Sequence, residues 1–271
     1  MLRQERSEKV NSYLQYVKYG SGGIVLFVSA SLKANVPDIP FLSSVIVHCQ
    51  YNAWWIIILC TFAGGLSQYL NSHIGSPGNW RIVQHILDQY REEVFGKDEN
   101  TKEDAEHFHR ITLFKHFKWR WALERWPWSG WVVPVARSGS RTKTNIQCFL
   151  ASKERPDDAE GVAGQTWARN REVKVCGLPD LSIDNPPEND IIEYAKKAFV
   201  TDEWIRNRMR TNRRGLQCRS LLGICIEVKG VPWGALVIDS RNPEPSRLKN
   251  TTKNPKLKTY KDILSRLLEK V

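Results

Sequence analysis

Arginines are the residues best placed to do chemistry in this sequence. Arg206, Arg208, Arg210, Arg213, Arg214 and Arg219 fall in one stretch, just ahead of a strand-like run. A guanidinium is planar, permanently charged and forked, so it pairs with phosphate or carboxylate oxygens. Arg213, Arg214 and Arg219 lie nearest that run and are the expected contacts for an anionic ligand. The same stretch also fits a solvated basic surface facing anionic lipid. Cys218 and Cys225 offer thiols at the start and middle of the run, although buried cysteine ordinarily serves as a small apolar residue. His107, His109 and His116 have spacing a metal could use. No cysteine or carboxylate converges on them, and no metal site is expected. The sequence contains no Ser-His-Asp elbow, phosphate-cradling glycine loop or convergent carboxylate pair, so no catalytic residue is assigned and no cofactor is indicated.

Tryptophan is the other unusual component, with eleven in 271 residues. Trp119, Trp121, Trp126, Trp128 and Trp131 crowd into one segment with Arg120 and Arg125 between them. Three readings fit. The rings pack a strand pair and its corner; they stack on a ligand; or Trp126 and Trp128 sit at headgroup depth while the arginines meet anionic lipid.

Charge patterning sets the elements that must carry these residues. From Ile39 to Trp80 there is no Asp, Glu, Lys or Arg, although a quarter of the chain is charged. Its apolar centre, Ala53 to Leu70, is about as long as a bilayer's hydrocarbon layer when helical. Trp54, Trp55 and Tyr69 suit the interfaces. A shorter uncharged run, Tyr19 to Leu32, is bounded by Lys18 and Lys33, whose stems can reach toward headgroups. Residues 1–75 therefore read as a transmembrane helical hairpin with spans at about 13–36 and 41–70, broken by Pro37-Asp38-Ile39-Pro40. A signal peptide ending near Ser29-Ala30-Ser31 is the rival for the first run. Arg3, Arg6, Lys9 and Lys18 precede the first span and only Lys33 follows it. The positive-inside rule then keeps both ends of a multi-pass protein in the cytoplasm.

Residues 76–100 read as a connecting helix from Ser76-Pro77, with Val83, Ile86, Leu87, Tyr90 and Val94 on one face, then an acidic linker. Beyond residue 101 strands and helices intermix, which argues for an α+β domain. Strands are expected from Ile111 onward, over Trp131–Ala136, at Ile146–Leu150 and at Val173–Val175. A hairpin runs from Leu222 to Ile238 about Lys229-Gly230. Helices are expected from Gly161 through Trp167, from Ile191 to Val200, and near the end, where Tyr260, Ile263, Leu264, Leu267 and Leu268 keep helical spacing.

The order of motifs resembles a GAF domain. Glu160-Gly161-Val162-Ala163-Gly164 with Trp167 is similar to the helix-opening motif of that family, and Leu178-Pro179-Asp180 follows the next strand in the same way. Ser220 to Ile226, Gly230, and Trp233 to Ser240 look like its hairpin. The resemblance covers 101–271 and implies an antiparallel sheet with helices mainly on one side and a pocket on the other. It implies a sensor that binds a small molecule, a nucleotide among the options, with Trp167, Arg213, Arg214, Arg219, Trp233 and Asp239 as ligand contacts and homodimerisation. Some GAF-like enzymes reduce free methionine sulfoxide through pocket cysteines, and other members only dimerise or bind a protein partner. The cyclic-nucleotide phosphodiesterase signature and a bilin-attachment cysteine are not found.

The net charge of +11 bears on partners. Residues 1–75 hold five basic against three acidic side chains, so most of the excess belongs to the later domain. A basic domain beside an anionic leaflet accounts for that sign through membrane lipid, without nucleic acid.

Overall fold

The computed structural model describes residues 3–33, 40–74, 77–95, 109–118, 130–139, 148–182, 185–211, 216, 218–243 and 254–269. The chain divides into two units, 3–80 and 81–270.

In the first unit, α1 (Arg3–Ser31), α2 (Pro40–Tyr51) and α3 (Ala53–Ile74) follow one another. The α1 and α3 helices pack antiparallel: the Ser67 hydroxyl donates to the Leu14 carbonyl at 2.6 Å, and Gly64 faces the Ser21 hydroxyl so closely that a Cβ would sit 3.1 Å from it. The Gln50 amide donates to the Ser31 carbonyl at 2.8 Å. Paired small and hydroxyl residues let helix backbones approach in this way.

The helix bounds differ from the expected spans. The first helix begins at Arg3 and stops at Ser31, and the expected turn lies outside the described residues up to Pro40. The second is interrupted at Asn52 alone, where the N–H still donates to the His48 carbonyl at 3.1 Å and the carbonyl still accepts from the Ile56 N–H at 3.0 Å, so the break is slight. The 22 residues of α3 span about 33 Å. Among the described residues, α3 is the one helix long and apolar enough to cross a membrane, by length and composition. Its first aromatics are exposed, Trp54 by 80% and Trp55 by 69%.

The second unit contains the rest of α4 (Pro77–Phe95) and a six-stranded antiparallel sheet. Its strands are β1 (His109–Phe117), β2 (Trp131–Ser138), β3 (Phe149–Leu150), β4 (Val173–Val175), β5 (Ser220–Val228) and β6 (Val231–Ser240), in the order β3-β2-β1-β6-β5-β4. Lys229 and Gly230 both have positive φ, 52° and 73°, which makes the β5–β6 link a two-residue turn of the twist-matching kind. The helices are α5 (Gly161–Arg169), α6 (Glu188–Ala198), α7 (Asp202–Thr211) and α8 (Pro255–Leu268).

Strand alternation sorts the side chains into two layers. Ile111, Leu113, Leu222, Ile224, Ile226, Leu236 and Ile238 are buried on one face. There α8 packs on β5, and Tyr260 of α8 meets Tyr90 of α4 at 4.9 Å between ring centroids. Phe114, Val132, Ala235 and Val237 belong to the other layer, with Phe149, Val162, Trp167, Tyr194 and Ile205. Both faces of the sheet therefore carry helices, rather than mainly one.

Three local comparisons with the sequence reading bear on the site. The β1 strand ends at Phe117, and the Trp119–Ser129 stretch lies outside the described residues; Trp131 alone of the cluster is described, buried in β2. The α6 helix starts earlier, at Glu188, with Glu188 and Asp190 in the first turn where the helix dipole favours acids. It ends because Phe199 adopts a left-handed conformation. The basic run is helical up to Thr211, where Arg206 is tied to Glu188 and to Asp202.

Candidate ligand-binding site

The register of three strands gathers an ionic group on the helix-covered face shared by Phe114 and Trp167. Arg110 of β1 lies opposite Asp239 of β6, and Thr112 of β1 opposite Arg137 of β2. Arg110 and Arg137 are thus diagonal neighbours, with about 7–8 Å between them along the backbone. The Arg110 Nε donates to both carboxylate oxygens of Asp239, at 2.8 and 3.1 Å. The Arg137 Nε donates to the Thr112 hydroxyl at 3.1 Å. Arg208 of α7 lies close enough for its charge to act on Arg137 and for that of Arg110 to act on it. Tyr194 of α6 closes the edge, its buried hydroxyl donating to the Cys218 carbonyl at 3.1 Å.

This group is enclosed and yet wet. Arg110 keeps 31% of its side chain open and Asp239 keeps 15%, although burial works against the charge on Arg110. Charged groups among packed residues are thus still reached by solvent, a polar patch in an otherwise apolar layer. The electrostatics are unbalanced in it. Asp239 holds the Arg110 guanidinium above its usual range, outweighing burial. Arg137 is pulled down to about 10, first by burial and next by repulsion from Arg110, with Arg208 adding to it and Asp239 opposing. Arg208 is lowered in the same way, by burial and then by Arg110.

The residues expected from sequence divide between two places. Asp239 belongs to this polar patch. Arg219, just ahead of β5, is brought near it by strand pairing, its backbone N–H donating to the Ser240 carbonyl at 2.8 Å and its Nε to the Leu178 carbonyl at 3.1 Å. Trp167 and Trp233 are at the other end of β6, about 20 Å along the strand from Asp239. Trp167 is 7% exposed, stacked on His116 at 3.5 Å between centroids, with its Nε1 donating to the Pro232 carbonyl at 3.1 Å. Lys153 lies 5.4 Å over that ring and Lys115 lies 5.1 Å over the ring of Trp233. A ligand stacking on Trp167 would have to displace His116 or Lys153. Arg213, Arg214, Trp126 and Trp128 lie outside the described residues. Trp54 and Trp55 stand exposed at the start of α3.

Sequence reasoning missed Arg110 and Arg137, and named Arg208 only as part of a basic run. The signal was a charge alternating with apolar residues inside a strand, Arg110-Ile111-Thr112-Leu113, which aims an arginine at a covered face.

The thiols are poorly placed for redox work. Burial pushes Cys218 up to about 12 and Cys225 up to about 11, leaving almost no thiolate at neutral pH. Seven residues of extended chain hold them roughly 20 Å apart, far beyond disulfide reach. A reductase on this fold would have to draw its reactive thiol from elsewhere.

No protein-family profile and no curated protein matches the chain. Solved structures do align with it. The free methionine-R-sulfoxide reductase (type II) of Thermoplasma acidophilum is 12% identical, covering 67% of this chain and 94% of that one, with a TM-score of 0.32. The blue-light-absorbing form of the PixJ GAF domain from Thermosynechococcus elongatus is 12% identical over 70% of this chain and 88% of that one, with a TM-score of 0.36. The GAF domain of the Acinetobacter phosphoenolpyruvate-protein phosphotransferase is 16% identical over 70% and 90%, with a TM-score of 0.32. Likenesses this remote say nothing about ligand or activity. The second unit has a GAF-like α+β fold on its own architecture. The Gly161–Arg169 helix, the Leu178-Pro179-Asp180 loop and the Ser220–Ser240 hairpin occur in the expected order around an antiparallel sheet.

Proposed function

We propose that this chain is a membrane-anchored sensor whose GAF-like domain binds a small molecule on the face of the sheet covered by α5, α6 and α7. The observation that carries this reading is the enclosed, solvent-reached group of Arg110, Asp239, Arg137 and Arg208. Arg110 and Asp239 are paired and yet keep 31% and 15% of their side chains exposed, so ionic surface stays within reach of solvent on the covered face. The exposed apolar face of α3 supports anchoring, with Trp54 and Trp55 at one end of the span and Tyr69 near the other. With α1 packed on α3, the unit is a two-span hairpin, both ends of the protein are cytoplasmic, and the domain dimerises. Ligand would then shift the packing or pairing of domains, which requires that it bind one arrangement better than the other.

Native mass spectrometry of the full chain in detergent, purified from cell extract, tests this. The expected result is a stoichiometric small molecule that is retained and not turned over. Repeatedly empty protein that also fails to take up any small molecule from a metabolite extract would refute it.

A further inference from the structure

We infer that the end of the sheet made by the β5–β6 turn and the last residues of β1 docks on an anionic bilayer surface. Val231, Trp233 and Phe117 enter the headgroup layer, and Lys115, Lys118 and Lys229 meet lipid phosphates. This rests on the membrane anchoring proposed above and is independent of the ligand that the domain binds. Strand β1 runs antiparallel to β6 with Lys115 opposite Gly234, so the last residues of β1 lie beside the first of β6. The Lys115 ammonium is 5.9 Å from the centre of the Phe117 ring and 5.1 Å from that of Trp233, which gathers two aromatics about one cation. Val231, the first residue of β6, is 63% exposed. Lys118 directly follows β1, Lys229 is in the turn, and both are exposed.

The combination, rather than any one residue, points to lipid. Val231 alone would be an ordinary exposed apolar side chain. Beside it, however, are two rings suited to headgroup depth and three lysines whose stems can lie along apolar surface while the ammonium reaches phosphate. The acid of this hairpin, Glu227, does not offset them freely, since it accepts from the Asn170 amide at 3.0 Å. A basic side chain at an anionic leaflet is worth about 5-fold in partitioning, so three together favour anionic over zwitterionic lipid by on the order of 100-fold. Anchoring through α3 supplies the bilayer at high effective concentration, an advantage that no soluble protein partner shares.

The test places the full chain one copy to a nanodisc, of phosphatidylcholine alone or mixed with phosphatidylglycerol. Lysines are acylated in a brief pulse and read by peptide mass spectrometry. Lys118 and Lys229 should react at least ~5-fold more slowly in the anionic discs. Lys196 should keep its rate, because its helix reaches Cys218, at the opposite end of β5, through Tyr194. High salt should abolish the difference. Val231→Ser keeps every charge and should restore most of the rate at both lysines. Should that variant misfold, Lys229→Asn, which suits the positive φ of 52° there, should restore the rate at Lys118. Equal rates in the two discs, slowing shared by Lys196, or slowing unchanged in both variants would overturn the inference. Anchoring is read separately, from retention in the phosphatidylcholine discs. A chain that does not enter them fails the anchoring reading, and the same pulse with phosphatidylglycerol vesicles then still decides the contact.

Discussion

His116 makes the domain acid-sensitive in a window set by its surroundings. The imidazole lies flat on Trp167, 3.5 Å between centroids and 8° from parallel. It is held down to about 4, chiefly by burial, with Lys153 and Lys118 pushing the same way and the Ala151 backbone opposing. An unfolded histidine titrates near 6.5. The folded value is depressed, so its contribution is fully present above pH 6.5 and is lost as pH falls toward 4, where the folded ring finally takes the proton. At about 1.4 kcal/mol per pH unit the loss by pH 4.5 approaches 2.5 kcal/mol; discounted for the partial exposure of the ring, about 2 kcal/mol is expected. For a domain of this size that is ~4–8 °C in thermal midpoint. His116→Phe keeps an aromatic ring against Trp167 and removes the titration. Any packing cost of the larger ring is an offset independent of pH. Thermal unfolding of both proteins in the same detergent, from pH 7.5 to 4.5, should show wild type losing ~4–8 °C more than the variant. Parallel pH profiles would refute the burial argument.

Other outcomes follow from the same packing. Gly223 of β5 lies directly under α5, where an added Cβ would meet the Thr166 hydroxyl and come within 2.8 Å of Val162 Cγ1; Gly223→Ala should cost about 1–3 kcal/mol in denaturant unfolding. Alkylation under native conditions, followed by peptide mass spectrometry, should label half-buried Cys176 at least ~100-fold faster than buried Cys218 or Cys225, and equal rates would contradict their placement. A reporter joined after Val271 should be active only when it is of a kind that works in the cytoplasm; activity of a reporter that requires the far side would remove the two-span topology. Arg137→Met should leave the domain as stable as wild type in denaturant unfolding, or up to ~1 kcal/mol more so, because it relieves burial of charge and repulsion by Arg110; a loss above ~1 kcal/mol would contradict this.

Local elements were legible because their causes are local. Alternating Leu222, Ile224, Ile226 and Val228 before Lys229-Gly230 can only be a strand entering a tight turn, and the structure has that hairpin. The terminal helix followed from its spacing and is capped by Asn254, whose side chain accepts from the Leu257 N–H at 3.3 Å. The extent of the spans was less legible. An uncharged stretch shows that a segment is apolar, but not where its helices begin and end or that they are interrupted at Asn52.

The site was the least legible part, for a reason that also bears on what it does. Arg110 and Asp239 are 129 positions apart, and Thr112 and Arg137 are 25 apart; only the order β2-β1-β6 brings them together. Counting charge along the chain favours Arg213 and Arg214, because runs are visible and register is not. Arginines within a sheet face must be desolvated in part to fold at all. Asp239 compensates one of them. The charge on Arg137 is opposed both by burial and by Arg110, and a methionine of similar length would fill that place without either penalty. Charge kept where an apolar side chain would serve stability better is the physical ground for proposing the ligand site at this polar patch.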